Sequence, residues 1–150
     1  MKHIKTRLQE RSSNILENLE YFEEVIIECS EKITLSLAAG KKLLFCGNGG
    51  SAAESQHMAA EYCATLNHHN PRKGFKAMAL SVDTSFITAW SNDFGFEGIF
   101  ERQIETLGEE NDILICYSTS GSSKNIIKGA LEAKRKKMHV LAFTGASKEN

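Results

Sequence analysis

Two short segments of the sequence are rich in glycine and in hydroxyl side chains, and each of them directly follows an apolar run. They are Gly47–Ser51 (GNGGS) and Ser118–Ser123 (STSGSS). A helical pattern begins after each segment, and the free backbone N–H groups at a helix N-terminus attract anions. Glycine lets the backbone approach a ligand closely, while Ser and Thr hydroxyls donate to phosphate oxygens without adding charge. The two segments therefore predict a shared site for a phosphomonoester at the carboxyl ends of two strands.

The first segment is ambiguous when it is taken alone. Gly and Ser are also typical of a tight turn that is followed by a helix cap. Gly47 and Gly49 do not begin a dinucleotide-binding G-x-G-x-x-G pattern, because Ala52 stands at its last position and no acidic residue ends the second strand. A Walker A loop is excluded as well, because no Gly-Lys-Ser/Thr follows. A nucleotide-dependent enzyme is therefore the poorest of the functions that the loops permit.

His57 and Glu61 lie four residues apart in the helical segment that follows the first loop. Residues at this spacing share one face of a helix, so both side chains can point at a single atom. Such a pair can bind a divalent metal, or Glu61 can transfer a proton while His57 orients it. A solvated surface pair is the alternative, and the nearby loop favours a functional role.

Asn92 and Asp93 belong to the segment Ser91–Gly98 (SNDFGFEG), which we expect to be irregular and to separate two helices. Their side chains are either ligand contacts or the cap of an Asx turn. The residues of this segment leave both alternatives open.

The rest of the pattern alternates apolar runs with helical segments. A succession of strand, Gly/Ser turn, helix and strand is typical of βαβ units and of a parallel sheet. The predicted strands are Lys42–Cys46, Phe75–Leu80, Asp112–Tyr117 and Met138–Phe143. The predicted helices between them are Ala52–Leu66, Thr84–Ala89, Ile99–Leu107 and Asn125–Lys136. We therefore expect an α/β fold in which residues 1–150 form one domain.

Residues 4–39 contain no Gly or Pro, and their apolar residues recur at helical spacing. A single straight helix of this length would span about 54 Å, which is too long for a domain of this size. We expect two helices, the second of them ended by Gly40. Their apolar surface exceeds what one small domain needs to cover, which predicts a subunit interface.

The composition is that of an ordinary globular protein, with 41% apolar and 25% charged residues. A net charge of −1 offers no electrostatic basis for binding nucleic acid or an anionic membrane. The four cysteines form no C-x-x-C pair, and Cys46 and Cys116 lie in apolar runs, so we expect buried, reduced thiols. No segment resembles a signal peptide or a membrane span, and we expect a cytoplasmic protein.

Taken together, these segments resemble the phosphoheptose isomerases, which are sugar-isomerase (SIS) domain proteins. The resemblance is carried by Gly47–Ser51, His57 with Glu61, Asn92–Gly95 (NDFG) and Ser118–Ser123, and it extends from about residue 5 to the last residue. It implies a three-layer αβα sandwich, with helices on both faces of a parallel sheet. It also implies a homotetramer that shares active sites between subunits and holds the N-terminal helices in its interface.

The resemblance further implies an activity and a role for each matching residue. The activity is the isomerisation of sedoheptulose 7-phosphate to glycero-manno-heptose 7-phosphate, a ketose-to-aldose conversion for lipopolysaccharide or another surface glycan. Glu61 is implied to transfer a proton, and His57 and Glu61 are implied to bind one zinc ion. The residues implied to contact the substrate, with the last four taking the phosphate, are Asn48, Gly49, Gly50, Ser51, Glu61, Asn92, Asp93, Ser118, Thr119, Ser120 and Ser123.

The sequence departs from the family pattern at its C-terminus. Family members continue beyond the position of Asn150 with a last strand, a Gln ligand, and a helix that bears a catalytic, zinc-binding His. We therefore expect this chain to carry an incomplete set of zinc ligands. The alternative to an isomerase is a non-catalytic SIS protein that binds a phosphosugar or the replication initiator.

Overall fold

The computed structural model describes residues 2–65 and 67–145, which fall into two compact units divided after Thr34. The first unit is helical: α1 spans Lys2–Glu17, and α2, which continues into the second unit, spans Leu19–Ala38. The two predicted helices are confirmed, and α2 ends just before Gly40. Among the described residues, no helix combines the length and the apolar character that a membrane crossing requires. The single domain expected for residues 1–150 stays a prediction.

The second unit is built on a four-stranded parallel sheet with the strand order β2-β1-β3-β4. The strands are β1 (Leu43–Gly47), β2 (Ala77–Ala79), β3 (Ile113–Ser118) and β4 (His139–Thr144). The chain moves from β1 to one side of the sheet to make β2, and from β3 to the other side to make β4. The winding direction therefore reverses between the two central strands, β1 and β3.

Helices cover both faces of this sheet, which confirms the predicted three-layer αβα architecture. They are α3 (Gly50–Cys63), α4 (Thr84–Phe94), α5 (Ile99–Leu107) and α6 (Lys124–Arg135), and a 3₁₀ turn (Phe96–Gly98) lies between α4 and α5. On one face, α4, α5 and α6 enclose a core that includes Leu44, Leu114 and Phe100. On the other face, Tyr62 of α3 packs against Phe45, with ring centroids 6.0 Å apart. Because both faces are covered, the two central strands are largely buried and consist mostly of apolar residues.

Several element boundaries differ from the prediction. The first, third and fourth strands each begin and end one residue later than predicted, and the second is shortened to Ala77–Ala79. Lys42 lies outside β1 because its backbone N–H bonds to the Asp112 side chain, 3.0 Å away, instead of to a neighbouring strand. Helix α3 begins two residues earlier than predicted and ends at Cys63, and α6 is shifted one residue toward its N-terminus. Leu66, the predicted end of α3, lies outside the described residues.

The segment that we expected to be irregular, Ser91–Gly98, is largely helical, and this part of the prediction was wrong. Helix α4 continues through Ser91 to Phe94, and only Gly95 stands between it and the 3₁₀ turn. Aromatic side chains spaced four residues apart support the longer helix, since the Trp90 ring lies 5.8 Å from Phe86 and 4.5 Å from Phe94. Asn92 and Asp93 therefore belong to the last turn of a helix.

A buried ion pair joins the amino ends of the two central strands. The Asp112 side chain is fully buried, and its carboxylate lies 2.6 Å from the Lys42 ammonium. It also accepts hydrogen bonds from the backbone N–H groups of Lys42, at 3.0 Å, and of Glu109, at 2.8 Å. This carboxylate thus satisfies three donors beside β1 and β3 at the end of the sheet opposite the two Gly/Ser loops.

We predict that Asp112→Ala lowers the free energy of unfolding by about 2–4 kcal/mol, because three donors lose their acceptor and a partly buried ammonium loses its partner. Urea denaturation followed by circular dichroism measures this change. The matched control is Glu110→Ala, which removes an exposed carboxylate 3.6 Å from Lys137 and should cost less than about 0.5 kcal/mol. Equal effects of the two substitutions would contradict the assigned role of Asp112.

Candidate functional site

The loops that follow β1 and β3 meet at the carboxyl edge of the sheet, where the winding direction reverses. A reciprocal pair of hydrogen bonds links them: the Asn48 amide donates to Asn125 Oδ1, and the Asn125 amide donates to Asn48 Oδ1, both at 2.9 Å. Asn125 lies at the start of α6 and is 4% exposed, while Asn48 is half-buried, so this contact is partly shielded from water. In open α/β sheets the crevice at such a reversal is where ligands bind. The predicted convergence of the two loops is therefore supported by a direct contact.

The first loop turns directly into α3, and glycines at two positions make this turn possible. Gly49 is the residue before the helix, and its backbone φ of 57° is one that residues other than glycine rarely adopt. A Cβ on Gly47 would lie 2.4 Å from the carbonyl oxygen of Ser51, so no side chain fits there. Asn48, Gly49, Gly50 and Ser51 consequently form the tight entrance and the first turn of α3, where the N–H groups of Ser51 and Ala52 donate to the carbonyls of Asn48 and Gly49, both at 3.0 Å.

The second loop presents hydroxyl groups whose oxygens already accept hydrogen bonds from the loop itself. Ser118 Oγ accepts from the Gly121 backbone N–H, and Ser120 Oγ accepts from the Ser122 backbone N–H, both at 3.2 Å. A hydroxyl that accepts in this way keeps its own hydrogen for donation. Ser118 is buried, whereas Thr119 and Ser120 are exposed. The loop is thus arranged to donate to a ligand.

The start of α6 adds backbone donors without adding a free positive charge. Ser123 occupies the position before the helix and makes no side-chain cap, so the N–H groups at the very start of α6 are not covered by its hydroxyl. Further along the first turn, the Ile126 N–H donates to Asn125 Oδ1 at 3.0 Å. Lys124 follows, but its ammonium lies 2.9 Å from the Glu97 carboxylate. That hydrogen bond raises the pKa of Lys124 and lowers the pKa of Glu97. The site therefore relies on hydroxyls, amides and the helix end.

Tyr117 immediately precedes the second loop and stays a neutral phenol. Burial, together with the nearby Glu54 carboxylate, raises its pKa to about 12. Its ring stacks on Phe143 of β4, with centroids 5.2 Å apart.

Two buried cysteines, Cys46 and Cys116, lie side by side in the central strands beneath the loops. The Cys46 thiol donates a hydrogen bond to the sulfur of Cys116, 3.5 Å away, and this bond together with burial raises the pKa of Cys46. The expectation of buried, reduced thiols at these two positions is confirmed.

His57 and Glu61 both lie on α3, with His57 exposed and Glu61 half-buried. At 1.5 Å per residue, Glu61 is about 16 Å along the helix from Gly50, and His57 is about 10 Å along it. Zinc takes three or four protein ligands. Residues 2–65 and 67–145 contain no group of three or more His, Cys, Asp or Glu side chains arranged to hold a metal. The described residues therefore do not by themselves fit a complete zinc site.

Asn92 and Asp93 are exposed in the last turn of α4 and bond to each other, with Asn92 Nδ2 donating to Asp93 Oδ1 at 2.8 Å. Within the described chain, neither side chain bonds to the two loops. Glu97, a few residues later, reaches the first turn of α6 through Lys124. The structure thus brings this segment toward the second loop and leaves direct participation of Asn92 and Asp93 as a prediction.

Sequence reasoning missed Asn125 and the Glu97–Lys124 pair. Asn125 is a polar residue in the apolar stripe of an amphipathic helix, two residues after a Ser-rich loop, and this signal could have identified it. Glu97 and Lys124 are far apart in the chain and are joined only by the fold.

Comparisons with known proteins show the family to which this chain belongs. The SIS domain family model matches residues 8–145. The chain is 40% identical, over 98% of its length, to the phosphoheptose isomerase of Maridesulfovibrio salexigens. It is 50% identical, over 73% of its length, to the phosphoheptose isomerase of Burkholderia pseudomallei. A solved structure of a phosphoheptose isomerase from Francisella tularensis superposes with a TM-score of 0.83 at 33% identity and covers 98% of this chain.

The relatives are longer than this chain. The chain spans 69% of the Maridesulfovibrio protein, 55% of the Burkholderia protein and 78% of the Francisella chain.

We predict that Asn48→Ala and Asn125→Ala each destabilise the protein by about 1–2 kcal/mol, because each removes both hydrogen bonds between the two side-chain amides. The double substitution should cost less than the sum of the two, by at least about 0.5 kcal/mol, since the second change removes a group that is already unpaired. Urea denaturation of the four proteins completes the cycle. Strictly additive effects would show that the two loops are not coupled through this pair.

Proposed function

We propose that this chain, which belongs to the SIS domain family and within it to the phosphoheptose isomerases, forms the phosphosugar-binding part of a sugar-phosphate isomerase. The proposed reaction converts sedoheptulose 7-phosphate to glycero-manno-heptose 7-phosphate, for the heptose of lipopolysaccharide or another surface glycan. The observation that carries the proposal is the Asn48–Asn125 contact, which joins the first Gly/Ser loop to the start of the helix that follows the second.

The phosphate is proposed to lie between the two loops. The groups proposed to bind it are the hydroxyls of Ser51, Ser118, Thr119, Ser120 and Ser123 and the backbone amides at the starts of α3 and α6. Asn48, Gly49, Gly50, Asn92 and Asp93 are proposed to contact the sugar. The phosphate contacts lie away from the reacting carbons, so their binding energy positions the substrate for the chemical step.

Glu61 is proposed to transfer the proton between C1 and C2 of the sugar. Removal of a proton from C1 of the ketose gives an enediolate, the hydroxyl proton moves from O1 to O2, and return of a proton to C2 gives the aldose. The C2 carbonyl is reduced while the C1 alcohol is oxidised, so the reaction needs no external oxidant or reductant. Helical side chains lean toward the helix N-terminus, which tilts Glu61 toward the loops. Its distance along α3 suits a substrate whose phosphate is remote from its reacting carbons.

Zinc at His57 and Glu61 remains part of the proposal. Imidazole and carboxylate groups are ligands that zinc accepts, and the ion would polarise the sugar carbonyl. Because the described residues supply only two ligands, no step above depends on the metal.

A cytoplasmic location is also proposed, and it is supported by the four cysteines, which are free in the structure.

We predict that Glu61→Gln in the full-length protein lowers kcat for sedoheptulose 7-phosphate at least about 100-fold, because the amide cannot accept the proton. KM should change little, since the phosphate donors lie at the other end of α3. The matched control is Glu105→Gln on α5, which packs on the opposite face of the sheet. A steady-state isomerase assay measures both constants.

Near-wild-type turnover of Glu61→Gln would show that Glu61 is not the proton-transfer group. A protein that is stabilised against heat by the phosphosugar, yet interconverts no isomers, would instead favour the non-catalytic role, namely binding a phosphosugar or the replication initiator.

A homotetramer is proposed as the assembly, with the N-terminal helices in its interface. The apolar side chains of the first unit support this proposal because they are largely exposed, at 67% for Ile4, 63% for Leu8 and 56% for Ile15. Exposed apolar surface of this kind is typical of an interaction site.

We predict that Leu8→Glu lowers the mass measured by sedimentation equilibrium from that of a tetramer, because a charge would be buried in the apolar interface. Ser13→Glu is the control, since it adds the same charge on the opposite side of α1. A monomeric wild-type protein would contradict the proposed assembly.

A further inference from the structure

Helix α3, which carries His57 and Glu61, ends without a left-handed glycine. Ala64 follows the helix with a φ of −85°, and its N–H donates to the Ala60 carbonyl at 2.8 Å. The carbonyl groups of the last turn have no partners within a helix and must find them elsewhere. Here Arg72 supplies them: its Nη2 donates to the carbonyl oxygen of Glu61 at 2.9 Å, and its Nη1 donates to that of Tyr62 at 3.0 Å.

The guanidinium of Arg72 is itself held in place by the segment Arg72–Phe75. Nη1 also donates to the carbonyl of Lys73 at 3.1 Å, and the guanidinium carbon lies 4.4 Å from the centre of the Phe75 ring. The Phe75 backbone N–H donates to the Tyr62 carbonyl at 3.0 Å. The segment therefore folds back onto the end of α3 and places a positive charge at the negative end of the helix.

Only an arginine can make this set of contacts. Its planar fork presents two nitrogens in fixed directions, one toward the Glu61 carbonyl and the other toward the carbonyls of Tyr62 and Lys73. A lysine at position 72 would keep the charge but offer a single nitrogen.

We propose that Arg72 is a positioning residue that holds the backbone of Glu61 so that its carboxylate stays in place for proton transfer. The inference rests on the proposed function of Glu61. The last turn of a helix frays most easily, and Glu61 lies in that turn, whereas His57 lies one full turn earlier. Without the fork, the Glu61 side chain gains freedom, and small displacements of a catalytic group reduce turnover strongly.

The test uses Arg72→Met, Arg72→Lys and Lys73→Met in the full-length protein. Both Arg72 variants should lower kcat by about tenfold or more and leave KM for sedoheptulose 7-phosphate within about twofold, because the loops at the start of α3 are untouched. Lys73→Met removes an adjacent charge and should leave both constants unchanged. If Arg72→Met does not fold, as judged by thermal unfolding, the Arg72→Lys variant decides, since it keeps the charge and the aliphatic stem.

A second comparison separates positioning from general stability. In a Glu61→Gln background, Arg72→Lys should reduce kcat no further, because there is no carboxylate left to position. Wild-type kcat in both Arg72 variants, or the same fold-loss with and without Glu61, would overturn the proposal. Near-wild-type turnover of Glu61→Gln alone would instead refute the proposed function, so the two failures are distinguishable.

Discussion

The site depends on the reversal of winding between the two central strands of the parallel sheet. Because β1 leads to one side and β3 to the other, the loops that leave their carboxyl ends are neighbours with no helix between them. The Asn48–Asn125 pair then joins the first loop to the start of α6 by two hydrogen bonds. A partly buried, reciprocal amide pair of this kind stabilises the spacing of the donors on either side.

The same geometry offers the proposed phosphate site without a strongly positive protein. Long-range attraction is weak at a net charge of −1, and Lys124, which follows the second loop, is paired with Glu97. What remains are hydroxyls with free hydrogens and two helix N-termini, which provide partial charges only at short range. Such a site selects its ligand by shape and by hydrogen-bond geometry, since there is no strong field to attract other anions.

Helix α3 connects the two ends of the proposed reaction. Its first turn belongs to the first Gly/Ser loop, and its last turn carries Glu61, so binding and proton transfer are separated by a nearly rigid element of fixed length. A rigid spacer is useful only if both of its ends are held. Asn48 ties the first end to α6, and Arg72 ties the second end to the segment that leads into β2.

The local pattern of the sequence was sufficient for the order of the elements, the parallel sheet and the two loops, since apolar runs, Gly/Ser turns and helical periodicity are all short-range signals. It failed where distant residues meet. Asp112 was assigned to a strand although its carboxylate binds Lys42, and Ser91–Phe94 was assigned to a loop although stacked aromatic rings keep it helical. The contacts of Arg72 and the Glu97–Lys124 pair are visible only in the tertiary structure. Hydrogen bonds between residues far apart in the chain leave no periodic trace in the sequence, so only the folded arrangement of the helices and strands decides which polar side chains become partners.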